Sequence, residues 1–345
     1  MKKILENDFM DILNSNVSFE EFKDCTFFIT GATGLIGSNM IKALLFVSEK
    51  KGLNIKILAL VRNLAKANVL FADYLNNSAL QFIVGDLICD QIQIPEKCDY
   101  ILHAAAVTAS NEMITKPVET IKTAVEGTDS ILKLGVEKQV KAMVYLSSME
   151  VYGNCAPGKK MDEASLGTID LSNVRSCYPE GKRLCECLCL SYASEYGLNV
   201  SVARLAQTFG AGTLENENRV FAQFARSVIN NENIVLHTMG ESEGNYVYLS
   251  DAIVALLLLL TKGEKGEAYN ISNEKNHCTI KQMADLVAHD VAHDKISVTI
   301  DIPKENKGYA PSVKLWLDAG KIQKLGWTPH VDLAEAYNRL IEWMK

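Results

Sequence analysis

The sequence has little that would take it to a membrane or to nucleic acid. Its longest apolar run, AIVALLLLL at 252–260, is too short to span a bilayer and reads as a buried helix. The net charge is −7, so no positive field favours a phosphate backbone, and no nucleic-acid partner is expected. Acids interrupt the apolar residues of the opening MKKILENDFMDIL. That pattern predicts an amphipathic helix and not a signal peptide. Internal repeats and low-complexity segments are absent, and no C-x-x-C occurs. Cysteine itself is plentiful: there are nine, an odd number at irregular spacing. Reduced thiols and a cytoplasmic location are the expectation.

Four of these cysteines crowd the stretch CYPEGKRLCECLC at 177–189. On a helix Cys185 and Cys189 share a face and Cys187 points elsewhere, so the three cannot close on one tetrahedral zinc. No metal is expected, and the thiols are read as packing against a sheet. The other five histidines are not read as a ligand set; His103, at a strand end, is expected to be structural or adjacent to a cofactor.

What is present is an alternation. Short β-rich runs at 25–30, 55–61, 80–86, 100–106, 142–148 and 199–205 are separated by helical stretches, notably 35–50, 117–135 and 182–196. Continuous apolar strands such as IKILALV suit a sheet covered on both faces. The fold class predicted is α/β, a doubly wound parallel sheet with right-handed crossovers, and a smaller C-terminal part. The first domain is placed at 1–205 and the second mainly at 206–345, with 245–262 returning to pack on the first.

TGATGLIG at 30–37 follows the first strand and opens the first helix. Gly31 allows a tight turn, Gly34 lets backbone approach a pyrophosphate, and Gly37 lets helix and sheet pack closely. The helix start then offers free N–H groups to phosphates. The second strand ends in Arg62, where an acid would favour NAD and a guanidinium can bind a 2′-phosphate; NAD and NADP both stay open. Asp86 ends the third strand, placed to accept from an adenine amino group.

Tyr178 and Lys182 are four apart and share a helical face, with Pro179 suiting the first turn. An adjacent ammonium and a cationic nicotinamide would move the phenol toward neutrality, so that it takes a proton from a sugar hydroxyl as hydride leaves. Ser148 ends the fifth strand, on the side where such sheets bind ligands.

Taken together, TGATGLIG, GD, HAAA, YLSSMEVYG, YPEGK and VARLAQTFG resemble the extended short-chain dehydrogenase/reductases, the NAD-dependent epimerase/dehydratase family. The resemblance runs from about residue 25 through LDAGKIQKLGWTP at 317–329. It implies a Rossmann-like sheet with a smaller C-terminal α/β substrate domain, a nucleotide-diphosphate sugar as substrate, and a homodimer. It makes Ser148, Tyr178 and Lys182 the catalytic trio. The dinucleotide would lie against Gly31, Thr33, Gly34, Leu35, Ile36, Gly37, Arg62, Asp86, Leu87, Ala104, Ala105 and Ala106, as well as Tyr178 and Lys182. The sugar nucleotide would meet Thr108, Gln207 and Arg219.

Glu150 bears on the reaction. In the family, dehydratases and UDP-glucuronate decarboxylases usually carry a glutamate here, where it can remove the C5 proton once C4 is a ketone. Met149 stands where some dehydratases have the acid for the leaving hydroxyl. Ala124, Gln207 and Gly244 also depart from the family pattern, Gly244 where many members clamp the diphosphate with arginine. The reading is an NAD(P)-dependent nucleotide-sugar epimerase/dehydratase. The alternatives are an NADPH-dependent 4-keto-sugar reductase, a UDP-glucuronate-decarboxylase-like enzyme and, in a different class, a non-catalytic NAD(P)-binding regulator.

Overall fold

A computed structural model describes residues 2–95, 97–155, 158–303 and 313–345. The chain opens on α1 (Lys3–Leu13), then alternates β1 (Thr26–Thr30), α2 (Leu35–Lys51), β2 (Lys56–Val61), α3 (Leu64–Leu70), β3 (Leu80–Val84) and β4 (Tyr100–His103). It continues through α4 (Ser110–Thr115), α5 (Pro117–Glu137), β5 (Ala142–Ser148), α6 (Cys177–Glu195) and β6 (Val200–Leu205). Strands β1 to β6 lie within the runs predicted from apolar patterning. Helix α6 starts five residues earlier than the helical stretch at 182–196 suggests, because Pro179 is accommodated in its first turn.

The later chain supplies β7 (Gln207–Phe209), α7 (Val220–Asn230), β8 (Ile234–Leu236), β9 (Glu243–Tyr248), α8 (Leu249–Lys262), β10 (Ala268–Ile271), β11 (Asn273–Thr279), α9 (Ile280–Leu286), β12 (Val298–Ile300), α10 (Gly320–Gln323) and α11 (Leu333–Met344). The main sheet has seven strands in the order β10-β6-β5-β4-β1-β2-β3, and every pair is parallel. Six strands were expected; β10 is the seventh. The order reverses between β1 and β4, which opens a crevice at the carboxyl ends of those strands.

One face of the sheet is covered by α2 and α8, the other by α5 and α6. Every residue from Leu249 to Leu260 of α8 is buried, which explains its uniformly apolar sequence. Asp251, in its first turn, accepts the backbone N–H groups of His330 and Val331 at 3.0 Å each. A second core holds the β11-β9-β7 sheet against α7, α9 and α11. Arg204 of β6 ties α6 and the outer strand β10 to the main sheet. It bonds the Glu186 carboxylate, the closest contact being 2.7 Å, and the Tyr152 hydroxyl, which donates to Asn270 Oδ1 of β10 at 2.7 Å. A buried ion pair satisfied on all sides in this way specifies the packing more than it stabilises it.

The cysteines sort as the helical spacing predicts. Cys185 and Cys189 are buried and Cys187 is exposed. Among the described residues, no group of three or more His, Cys, Asp or Glu could hold a metal ion. Among the same residues, no helix is long and apolar enough to cross a membrane.

Candidate active site

Every site residue named from the sequence lines one cleft of about 590 Å³ at the carboxyl ends of β1, β2, β4, β5 and β6. Its floor is the glycine turn. Gly31 adopts φ +64°, and a Cβ there would lie 2.6 Å from the Ala104 carbonyl carbon. A Cβ on Gly37 would lie 2.3 Å from the Gly31 carbonyl oxygen. Gly34 caps α2 with no side-chain bond, so the first N–H groups of that helix face the cleft without an internal partner. This cradle fits a dinucleotide pyrophosphate, because backbone can approach where any side chain would block it.

Beside the cradle, Thr30 Oγ1 accepts the Ala105 N–H at 3.1 Å and bonds His103 Nδ1 at 2.7 Å; His103 Nε2 meets Thr128 Oγ1 at 3.2 Å. Burial pushes the His103 imidazole down to about 3, with the Lys182 charge adding to the effect. His103 is therefore neutral and structural. At the rim, Arg62 is exposed and 3.8 Å from the Asp86 carboxylate. Asp86 Oδ1 accepts the Ile88 N–H at 2.9 Å. Asn63 and Lys66 line the same rim.

At the opposite end stand Ser148, Tyr178 and Lys182. Ser148 Oγ accepts the Glu150 N–H at 3.2 Å and stands near enough to the Tyr178 phenol to favour its ionisation. Lys182 is 4% exposed and donates to the Leu146 carbonyl at 2.6 Å. Its Nζ lies 5.9 Å from the Tyr178 ring centroid. Burial lowers the Lys182 ammonium to about 8.

In the protein alone the Tyr178 phenol is pushed up, to about 12; the expected shift toward neutrality concerns the site with a cationic nicotinamide in it. Burial is the main cause and the Glu150 carboxylate the next; Ser148, Arg175 and Arg219 act the other way. The buried ammonium donates to a backbone carbonyl and is not among the main influences on the phenol.

Local sequence patterns did not single out Arg175, which comes from the turn before α6. It forms a two-point ion pair with Glu150 at 2.6 and 2.9 Å. Met149 is buried in the main core, 9% exposed, and offers the cleft no proton. Ala124 sits where α5 packs on α6: a Cβ on Gly181 would touch its methyl at 3.5 Å, and its carbonyl accepts from Cys185 Sγ. A Cβ added to Gly244 would find nothing within 4 Å, so the missing arginine leaves open space. Arg219 lines the cleft and is paired with Glu217 at 2.7 Å.

Comparison with known proteins agrees with this geometry. A sequence model described as the NAD dependent epimerase/dehydratase family matches residues 27–272. The chain belongs to that family. It is an enzyme of the short-chain dehydrogenase/reductase superfamily, in the group of nucleotide-sugar epimerases, dehydratases and decarboxylases. Relatives include UDP-glucuronic acid decarboxylase 1 of Xenopus tropicalis, 28% identical over 92% of this chain and 71% of the relative. The human dTDP-D-glucose 4,6-dehydratase is 26% identical over 92% of this chain and 89% of the relative. Among solved structures, the UDP-glucuronic acid 4-epimerase of Bacillus cereus, in complex with UDP-glucuronic acid and NAD, superposes with a TM-score of 0.75. It covers 92% of this chain and 98% of its own at 19% identity, which speaks for the fold.

Proposed function

We propose that this family member oxidises C4 of a nucleotide-diphosphate uronate and then releases the C5 carboxylate as carbon dioxide. The observation that carries the reading is the wall beside the redox trio. Glu150 is present there, while Met149 is buried and cannot protonate a leaving hydroxyl. Eliminating water across C5 and C6 needs that proton; a carboxylate β to a C4 ketone departs as carbon dioxide without it. The similarity to UDP-glucuronic acid decarboxylase 1 supports the same reading.

A nicotinamide held in the cradle would supply the hydride acceptor for C4 and, once carbon dioxide has left, would return that hydride to the C4 ketone. Tyr178 accepts the C4 hydroxyl proton, Ser148 orients that oxygen, and Lys182 holds the end of β5 from beneath through the Leu146 carbonyl. Glu150 stands ready to manage the proton at C5.

Incubation with UDP-glucuronic acid in deuterated water, followed by NMR, is expected to give carbon dioxide and a UDP-pentose deuterated at C5. A UDP-uronate inverted at C4, with its carboxylate intact, would instead establish the epimerase. A 4-keto-6-deoxy product from a glucose nucleotide would establish the dehydratase.

We also propose NAD as the working cofactor, on the similarity to solved structures that hold NAD, with Arg62 as the feature that could admit NADP. Arg62 is free enough to meet a 2′-phosphate, and one charge-assisted contact is worth about 1.5–3 kcal/mol. Arg62→Ala should therefore weaken NADP at least about tenfold and NAD less than about threefold, as read by titration of each nucleotide. Equal losses for both would show that Arg62 holds the adenosine and does not choose between them.

A further inference from the structure

The site holds one charged pair that neither the glycine turn nor the Ser–Tyr–Lys trio requires. Arg175 Nη1 donates to Glu150 Oε2 at 2.6 Å and Nη2 to Oε1 at 2.9 Å. The guanidinium carbon lies 6.0 Å from the Tyr178 ring centroid. The chain builds this placement locally. Asn173 Oδ1 accepts the Arg175 N–H at 3.0 Å, and Ser176 Oγ donates to the Asp170 carbonyl at 2.6 Å. From α6, Arg183 donates to the carbonyls of Val151 at 2.8 Å and Gly167 at 2.6 Å, which ties down the short helix that carries Glu150. Both ends of the ion pair are thus held, and the fork uses both carboxylate oxygens.

We propose that Arg175 is a positioning residue for the oxidation step: it fixes the Glu150 anion to one wall of the cleft and offsets the negative charge that this anion presents to the Tyr178 phenol. The inference rests on reading Tyr178 as the base. The charged groups facing that phenol are Glu150, which opposes its ionisation, and Arg175 and Arg219, which favour it. Lys182 also stands near and donates to the Leu146 carbonyl. Without Arg175, Glu150 loses its paired cation, only Arg219 of the two arginines remains to offset it, and its carboxylate is free to turn toward the phenol.

The test uses the NAD-loaded enzyme. Ionisation of Tyr178 is followed by ultraviolet difference titration against a Tyr178→Phe blank, and the pH profile of cofactor reduction is recorded in a single turnover. Arg175→Met is expected to move the titration to higher pH. It should cost about tenfold in rate near neutrality, the equivalent of one pKa unit, with recovery on the alkaline side. Arg175→Lys, which keeps the charge and loses the fork, should shift it less. Adding Glu150→Gln to Arg175→Met should return the titration to wild type or below. A superimposable Arg175→Met profile, or a shift that survives in the double variant, would overturn the proposal; should Arg175→Met fail to fold, a lysine variant showing the full tenfold loss does the same. The titration needs no sugar, so an enzyme inert toward UDP-glucuronic acid defeats the substrate reading and leaves this test intact.

Discussion

Tyr178→Phe is expected to stop the oxidation while leaving the cofactor bound. The substitution removes one oxygen from a half-buried ring whose other contacts remain. A positioned general base contributes about 10²–10⁴-fold. The predicted loss in kcat is toward the upper end of that range, with NAD affinity changed less than about threefold, because the missing atom faces the sugar and not the pyrophosphate. The pH dependence gives a second check. In the proposed mechanism phenolate is the active form; burial raises the phenol in the protein alone, so the wild-type rate should climb with pH. The residual rate of the phenylalanine variant should not. A variant that still reduces bound NAD at a tenth of the normal rate would remove Tyr178 from the mechanism.

The second large effect belongs to Gly31. Alanine there must take a left-handed conformation at φ +64° and place its Cβ 2.6 Å from the Ala104 carbonyl carbon and 2.7 Å from the Ala105 nitrogen. The conformation alone costs about 1–2 kcal/mol. The overlap is with backbone on both sides, so no rotamer change relieves it, and the total loss of stability should reach about 3 kcal/mol or more. The turn can escape only by moving off β4, which carries the start of α2 away from the pyrophosphate. NAD affinity should fall at least about a hundredfold, the equivalent of two lost charge-assisted contacts. Gly52 supplies the control: its φ is +67°, yet a Cβ there meets nothing within 4 Å. Gly52→Ala should lose only about 1 kcal/mol and bind NAD normally. Urea unfolding and cofactor titration on the two variants separate conformational strain from damage to the cradle. Normal NAD binding by Gly31→Ala would mean that the phosphates lie elsewhere.

The parts of this enzyme readable from sequence are those in which function is written into adjacent residues. The glycine turn is one tripeptide-spaced signature on a strand–helix joint, and Tyr178 and Lys182 lie one helical turn apart. Their physical demands, close backbone approach and a shared face, are local, so local spacing reveals them. The alternation of Cys185, Cys187 and Cys189 was legible for the same reason. What escaped was built across the chain. Arg175 and Glu150 meet from segments flanking a long excursion, and no periodicity connects them. Arg204 and Glu186 join a strand to a helix by a pairing that charge counts do not show. The seventh strand, β10, has only four residues, too few for a pattern of its own, and it is a strand because β6 offers it an edge. The Tyr178 shift depends chiefly on how deeply the phenol is buried and on the Glu150 carboxylate beside it, and neither is a matter of local spacing.

The late arrival of β10 also has a consequence for how the molecule is made. The strand that closes the outer edge of the sheet, and the helix α8 that covers one of its faces, leave the ribosome only after much of the smaller region has been synthesised. Until then β6 is a nascent edge with open N–H and C=O groups, and the apolar surface awaiting α8 is bare. Parallel pairing between distant segments is slow to form, and such edges invite pairing with other chains. The glycine cradle is therefore encoded well before the strand and helix that seal the sheet beneath it, and in that interval the open edge and the bare apolar face are exposed to chaperones and proteases.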